Sequence, residues 1–222
     1  SRSVSGRHFF CNKNTVLCNE PQIFCYFCLL LIEKNTYHMG EHICFRRNER
    51  LATVNPHWRG NPVVRGKFVN RQHRFRPGMG SVLKWRLSPN PQRKEKKSVK
   101  WSPKLNYLRS LDGVVGNSLI WLGHNSFFLQ LGRKRIMFDP VFGDIPFVKR
   151  QSDFPANPDI FTDIDYLLIS HDHFDHLDKQ SVARLVKNNP GMKLFCGLGT
   201  GELIKGWFPE FEVTEAGWYQ QI

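Results

Sequence analysis

Between Tyr166 and Asp178 the chain reads YLLISHDHFDHLD. Three histidines and two aspartates, His171, Asp172, His173, Asp175 and His176, fall within six residues directly after an apolar run. Imidazole and carboxylate together suit zinc, and also iron or manganese, so ligand type alone does not fix the metal. In extended geometry alternate side chains point the same way, so one ion could take both His171 and His173. The turn that follows would carry Asp175 and His176 to a second position, a half-set for a second ion. Two ions held close together would stabilise a bridging hydroxide at neutral pH, a nucleophile for an ester, lactone or phosphodiester. A polar turn with a chance run of histidines accounts poorly for five ionisable residues in six positions.

The elements around this cluster must aim it. SLIWLG (118–123), SFFLQLG (126–132) and KRIMFDP (134–140) are rich in β-formers and separated by Gly or short polar turns, so they read as consecutive antiparallel strands. A Pro- and Asp-rich connection, 146–158, follows without periodicity. DYLLIS (165–170) then reads as a buried strand. DKQSVARLVKNN (178–189) has helical spacing at Val182, Leu185 and Val186, with Asp178 a plausible N-cap. MKLFCG (192–197) is another strand, GTGELIKGWF a short helix, and EFEVTEA (210–216) a further strand. Strands first and alternating β-α-β afterwards define an α/β class with a mixed sheet. The histidines sit where a strand gives way to a helix, the edge at which such sheets gather ligands. GLGTG (197–201) lacks the Lys-Ser/Thr ending of a phosphate loop and reads as a strand-to-helix turn.

Charge divides the chain. The net charge is +13, yet it is local: 44–109 holds 18 Lys and Arg against two acids, whereas 110–222 holds 10 against 14. A basic stretch invites an anionic membrane surface or nucleic acid, though most charge runs are solvated surface. NPQRKEKKSVKWSPK reads as a loop or linker. Five of six cysteines, Cys11, Cys18, Cys25, Cys28 and Cys44, lie in the first 44 residues. Cys25, Cys28, His38 and His42 approach a zinc-finger spacing, but the central gap is short and reads neither as a turn nor as an amphipathic helix. The apolar run Ile23–Ile32 is too short to span a bilayer. The expected organisation is an irregular, Cys-rich and basic extension over 1–60, a basic lead-in over 61–109 and the site-bearing domain over 110–222. The first forty residues read as translated upstream sequence or an extension, with Met39 a possible start.

His171-x-His173-x-Asp175-His176 resembles the signature motif of the metallo-β-lactamase superfamily. WLGHNSFFLQLGRKRIMFDPVF (121–142) resembles the opening strands of the branch that contains the phosphorylated-ascorbate lactonase and the N-acyl-phosphatidylethanolamine phospholipase D. FVNRQ and LKWRLSPNPQRKEKK are similar to the lead-in of bacterial members, so the likeness covers roughly 67–222. It implies an αββα sandwich, of which this chain would form the first half. It also implies two zinc ions, with His171 and His173 on the first and Asp175 and His176 on the second. Asp175 would be the catalytic carboxylate. Asp139 matches a strand-end aspartate near the site and His124 a histidine near the active-site floor, which reads equally well as a satisfied buried histidine.

The family's site also uses two further histidines and a bridging aspartate downstream. After His176 the sequence has no histidine, and after Asp178 no aspartate. The expectation is therefore a C-terminally truncated hydrolase with a half-encoded site and little activity as these 222 residues. Its substrate would be a small-molecule or lipid ester, plausibly a phospholipid phosphodiester or a lactone, and its location cytoplasmic or membrane-associated. The alternatives are a nuclease of the same fold, tracking phosphates through the basic segment, and a non-catalytic remnant that binds a partner through that arm.

Overall fold

A computed structural model describes residues 42–70, 78–100, 104–145, 150 and 152–222. Cys11, Cys18, Cys25 and Cys28, the apolar run 23–32 and Met39 lie outside the described residues, as does all of the finger-like set except His42. The described residues fall into two units. One contributes 78–88, where α1 (Met79–Leu87) has no buried residue and carries Lys84 and Arg86 in its last turn. That placement is favourable beside the unpaired carbonyls of a helix C-terminus.

The second unit contains everything else. It opens with three short antiparallel strands, β1 (Cys44–Arg46), β2 (Asn61–Val64) and β3 (Lys67–Phe68). This sheet takes strands from both sides of residue 60. The basic run that reads as a loop instead holds a short helix, α2 (Arg93–Ser98), without a buried residue. Lys, Arg and Glu are good helix formers, and Glu95 in the first turn with Lys96 and Lys97 in the last suits the helix dipole. Local propensity alone accounts for α2.

The main sheet has six strands in chain order: β4 (Ser118–Gly123), β5 (Ser126–Leu131), β6 (Lys134–Phe138), β7 (Tyr166–Ile169), β8 (Lys193–Gly197) and β9 (Val213–Ala216). β4, β5 and β6 pair antiparallel through tight turns, and β6 to β9 pair parallel. β5 buries every second residue, and Phe128 is fully enclosed. α3 (Lys179–Asn188) joins β7 to β8, and α4 (Thr200–Trp207) joins β8 to β9. Asp178 caps α3, its carboxylate accepting the Ser181 N–H at 2.9 Å, and Val182 and Leu185 are buried at helical spacing. Phe128, Met137, Phe161, Leu167, Leu185, Leu194 and Ile204 form the centre of the core. This is the mixed α/β order expected for the first half of a metallo-β-lactamase-like sandwich. No helix among the described residues is long and apolar enough to cross a membrane.

The Gly-rich segment after β8 is a turn. Gly199 has φ +93° and Gly201 lies so close to Glu215 that a Cβ would meet its side chain at 2.7 Å. The Glu215 carboxylate accepts the N–H groups of Gly199 (2.7 Å) and Gly201 (2.8 Å), so the amides at the start of α4 are already satisfied internally. Arg46 of β1 completes the cluster, 3.5 Å from Glu215 and 3.1 Å from Glu202.

Candidate metal centre

Parallel pairing of β6 with β7 brings the C-terminal ends of both strands to one edge, and the β4–β5 turn arrives at the same edge. Asp139, the first residue past β6, sits with φ +40°, and His124 in the turn with φ +49°. Positive φ is uncommon outside glycine and its cost must be offset locally. For His124 part of that offset is the Trp121 indole N–H, which donates to the His124 carbonyl at 2.9 Å. For Asp139 the backbone N–H donates to the Leu168 carbonyl at 3.0 Å, extending the β6–β7 ladder.

Asp139 is 7% exposed, and its side chain accepts three hydrogen bonds. Its Oδ1 takes the Ser170 N–H at 2.7 Å, and its Oδ2 takes the Ser170 hydroxyl at 2.6 Å and His176 Nδ1 at 2.8 Å. An ionised carboxylate only accepts, so the His176 proton is on Nδ1 and its Nε2 carries a bare lone pair. Ser170 donates its one proton to Asp139, so toward His171 Nδ1, at 2.9 Å, it is an acceptor. That assignment leaves His171 Nε2 bare as well. One buried carboxylate and one hydroxyl thus set the tautomers of two histidines, the outer-sphere arrangement by which metal-binding imidazoles are held.

The cluster does not continue the strand. After Ile169 the chain bends, and the N–H groups of His176 and Leu177 close a turn on the His173 carbonyl at 2.9 and 2.8 Å. The extended geometry expected for His171 and His173 is therefore replaced by a bend. The two imidazoles still converge, with His171 Nε2 3.1 Å from His173 Nδ1. The His171 and His176 ring centres are 4.0 Å apart. Tetrahedral zinc with bonds of about 2.0–2.1 Å separates neighbouring ligand atoms by about 3.3 Å, so the His171–His173 spacing fits one edge of such a site. Asp175 Oδ2 lies 3.7 Å from His176 Nε2, an edge slightly longer than this, and 3.0 Å from His124 Nε2. The donor atoms of His124, Asp175 and His176 all lie within 4.8 Å of one another. The donor set and its spacing fit a metal ion.

Electrostatics agree. Burial lowers the His171 pKa, and the neighbouring His176 and His173 lower it further, so the ring stays neutral and its lone pair available. Burial works to raise the Asp175 pKa, but the hydrogen bond from His124 and the nearby imidazoles outweigh it, and the net shift is downward. Asp172 is exposed in the bend, and its charge works to raise the His171 pKa against the larger lowering effects. Two contributors do not stand out in the sequence. Ser170 looks like the end of a strand, and Asn125, whose amide donates to His176 Nε2 at 3.0 Å, looks like a turn residue. Adjacency to His171 and to His124 is the signal that marks them.

The Beta-lactamase superfamily domain model matches residues 134–221. The chain is 28% identical over 177 residues to the N-acyl-phosphatidylethanolamine-hydrolyzing phospholipase D 1 of Caenorhabditis elegans, covering 71% of this chain and 50% of that protein. It is 35% identical over 78 residues to a UPF0173 metal-dependent hydrolase of Saccharolobus solfataricus, covering 35% of this chain and 31% of that protein. The chain thus spans half or less of the length of these relatives. Over 134–221 the chain is thus similar to a Beta-lactamase superfamily domain, and the relatives it resembles include a metal-dependent hydrolase and a phospholipase D.

Proposed function

We propose that the protein is a metal-dependent hydrolase of an ester-type bond, with a phospholipid phosphodiester as substrate and a lactone as the alternative. The observation that carries this reading is the Asp139–Ser170 network, which leaves Nε2 of His171 bare toward His173 and Nε2 of His176 bare toward the Asp175 carboxylate. The phospholipid choice is supported by the likeness to the nematode phospholipase D. His171 with His173, and Asp175 with His176, would hold two ions, zinc suiting this donor set with iron or manganese as alternatives. When bound, such ions supply Lewis acidity and make water acidic enough to attack at neutral pH.

The chain's own groups do the rest. Asp139 keeps the proton of His176 on Nδ1, and Ser170 keeps that of His171 on Nδ1. Asp175, held ionised by its neighbours, is the base to which the attacking water can pass a proton. His124 Nε2 lies 3.0 Å from one Asp175 oxygen. The test is hydrolysis of N-acyl-phosphatidylethanolamine, a lactone and single-stranded RNA by the purified protein, before and after chelation. Turnover of the lipid that is lost on chelation, restored by zinc and absent in His171→Ala supports the proposal. Turnover indifferent to chelation and to His171→Ala sinks it, and metal-dependent cleavage of RNA alone would assign the nuclease reading instead.

A further inference from the structure

His124 reaches the cluster from outside the histidine motif. It belongs to the two-residue turn between β4 and β5, some fifty residues before the histidine motif (|i−j| = 51 to Asp175). Three features fix where its ring points. Its backbone is left-handed, Gly123 before it has φ +101° at an irregularity in the β4–β5 register, and the Trp121 indole holds its carbonyl. The result is Nε2 placed 3.0 Å from Asp175 Oδ2, with the His124 and His176 ring centres 6.2 Å apart.

From this geometry we infer that His124 is a third protein ligand to the ion held by Asp175 and His176, forming a two-histidine, one-carboxylate site. The inference rests on the metal-dependent reading above and deepens it, because the family resemblance implies only Asp175 and His176 for this ion among the residues present. The separations of 3.0 Å and 3.7 Å, and the 4.8 Å bound on the whole set, bracket the spacing of about 3.3 Å that three ligands of one zinc ion adopt. His176 meets the requirement for a bare Nε2 through Asp139. The Asn125 amide donates into that lone pair, and an ion there takes its place. A hydrogen-bonded His124–Asp175 pair becomes a ligand pair by release of one proton from Nε2, which is how metal sites assemble from protonated ligands.

The consequence is unequal loading. Among the described residues His171 and His173 offer two ligands to their ion, while His124, Asp175 and His176 offer three to theirs. Each extra protein ligand adds affinity and geometry. In a polypeptide of these 222 residues the first equivalent of metal should therefore go to the Asp175 site. A simple hydrogen-bond role predicts something different, and Gln separates the two, because its amide can donate to Asp175 as imidazole does but is a poor zinc ligand.

The experiment is a zinc titration of the purified protein against a chromophoric chelator, with cobalt(II) absorption spectra in parallel. It compares wild type with His124→Gln, His124→Ala and His171→Ala, each checked for an unchanged urea midpoint. Expected is a loss of at least about tenfold in affinity for the first equivalent in both His124 variants, with an altered cobalt spectrum, while His171→Ala leaves the first equivalent intact. Wild-type affinity in His124→Gln alongside a loss in His124→Ala would show a positioning donor and overturn the inference. Wild-type affinity in both would overturn it too. If His171→Ala loses an ion and the His124 variants lose none, the metal-dependent reading survives without it. If wild type binds no zinc, that reading fails first.

Discussion

Replacing Asp139 by Asn keeps shape and volume but changes one acceptor oxygen into a donor. The backbone pays little, because Asn tolerates the left-handed region that Asp139 occupies at φ +40°. The amide oxygen can keep the Ser170 N–H, which leaves the NH2 facing the Ser170 hydroxyl and His176 Nδ1, now 2.6 and 2.8 Å from the carboxylate. The hydroxyl can rotate. His176 cannot donate to a donor, so its proton moves to Nε2 and blocks the atom that faces Asp175. Loss of an outer-sphere partner of this kind costs about 10–100-fold in metal affinity, and each tenfold is about 1.4 kcal/mol. Stability falls as well, since hydrogen bonds to a charged group contribute about 1.5–3 kcal/mol each and two lose their acceptor. We expect Asp139→Asn to weaken zinc binding by about 10–100-fold in chelator competition and to lose about 3–6 kcal/mol of stability in urea denaturation. Full zinc affinity in a folded variant would show that the Asp139–His176 bond does not set the tautomer.

Three further outcomes follow from the packing and charge. Leu185 is fully buried in α3, so Leu185→Ala should cost about 2–5 kcal/mol in urea denaturation. Burial works to raise the Asp165 pKa, but the bonds from Lys134 and the Arg135 N–H (2.9 Å) outweigh it and the folded value is lowered. Its stabilisation is thus present above the unfolded carboxylate value of about 3.9 and lost as pH falls below that. Asp165→Asn should be about 1 kcal/mol less stable than wild type at pH 6, with the gap closing in pH-dependent melts as pH falls through the lowered folded value. Burial pushes the Cys196 thiol up to about 12, so iodoacetamide at pH 8 should label Cys44 in the native protein and Cys196 only after unfolding, as peptide mapping would show.

The sequence made some of this legible because the relevant residues are neighbours in it. The β4–β5–β6 meander follows from alternation and tight turns, and α3 from the 3.6-residue spacing after its Asp178 cap. His171 to His176 are contiguous, so their chemistry is visible without a fold. The roles of Asp139, Ser170 and Asn125 are not. Asp139 and Ser170 are 31 residues apart and meet only because β6 and β7 run parallel in one register. Asn125 reaches His176 across 51 residues through the same edge. The helix over 93–98 was hidden for the opposite reason. It buries nothing, so no apolar periodicity announces it.

The small β1–β2–β3 sheet also bears on the order in which the chain acquires its shape. Asn48 exchanges hydrogen bonds with Gln220 and bonds the Glu215 carbonyl, Val54 bonds the Tyr219 carbonyl, and Arg46 reaches Glu202 and Glu215. These partners are separated by about 155–170 residues of chain. On a ribosome adding about 5–20 residues per second, β1 waits roughly 10–30 s before its partners exist. Long-range closure of this kind is slow even in a finished chain, because loop entropy is lost before the contacts are made. The clasp is therefore a late event in folding. Until it forms, the turn before α4 has no arginine beside Glu215, and Trp58 has no Tyr219 ring to meet at 5.9 Å. In this interval the nascent chain is open to chaperones.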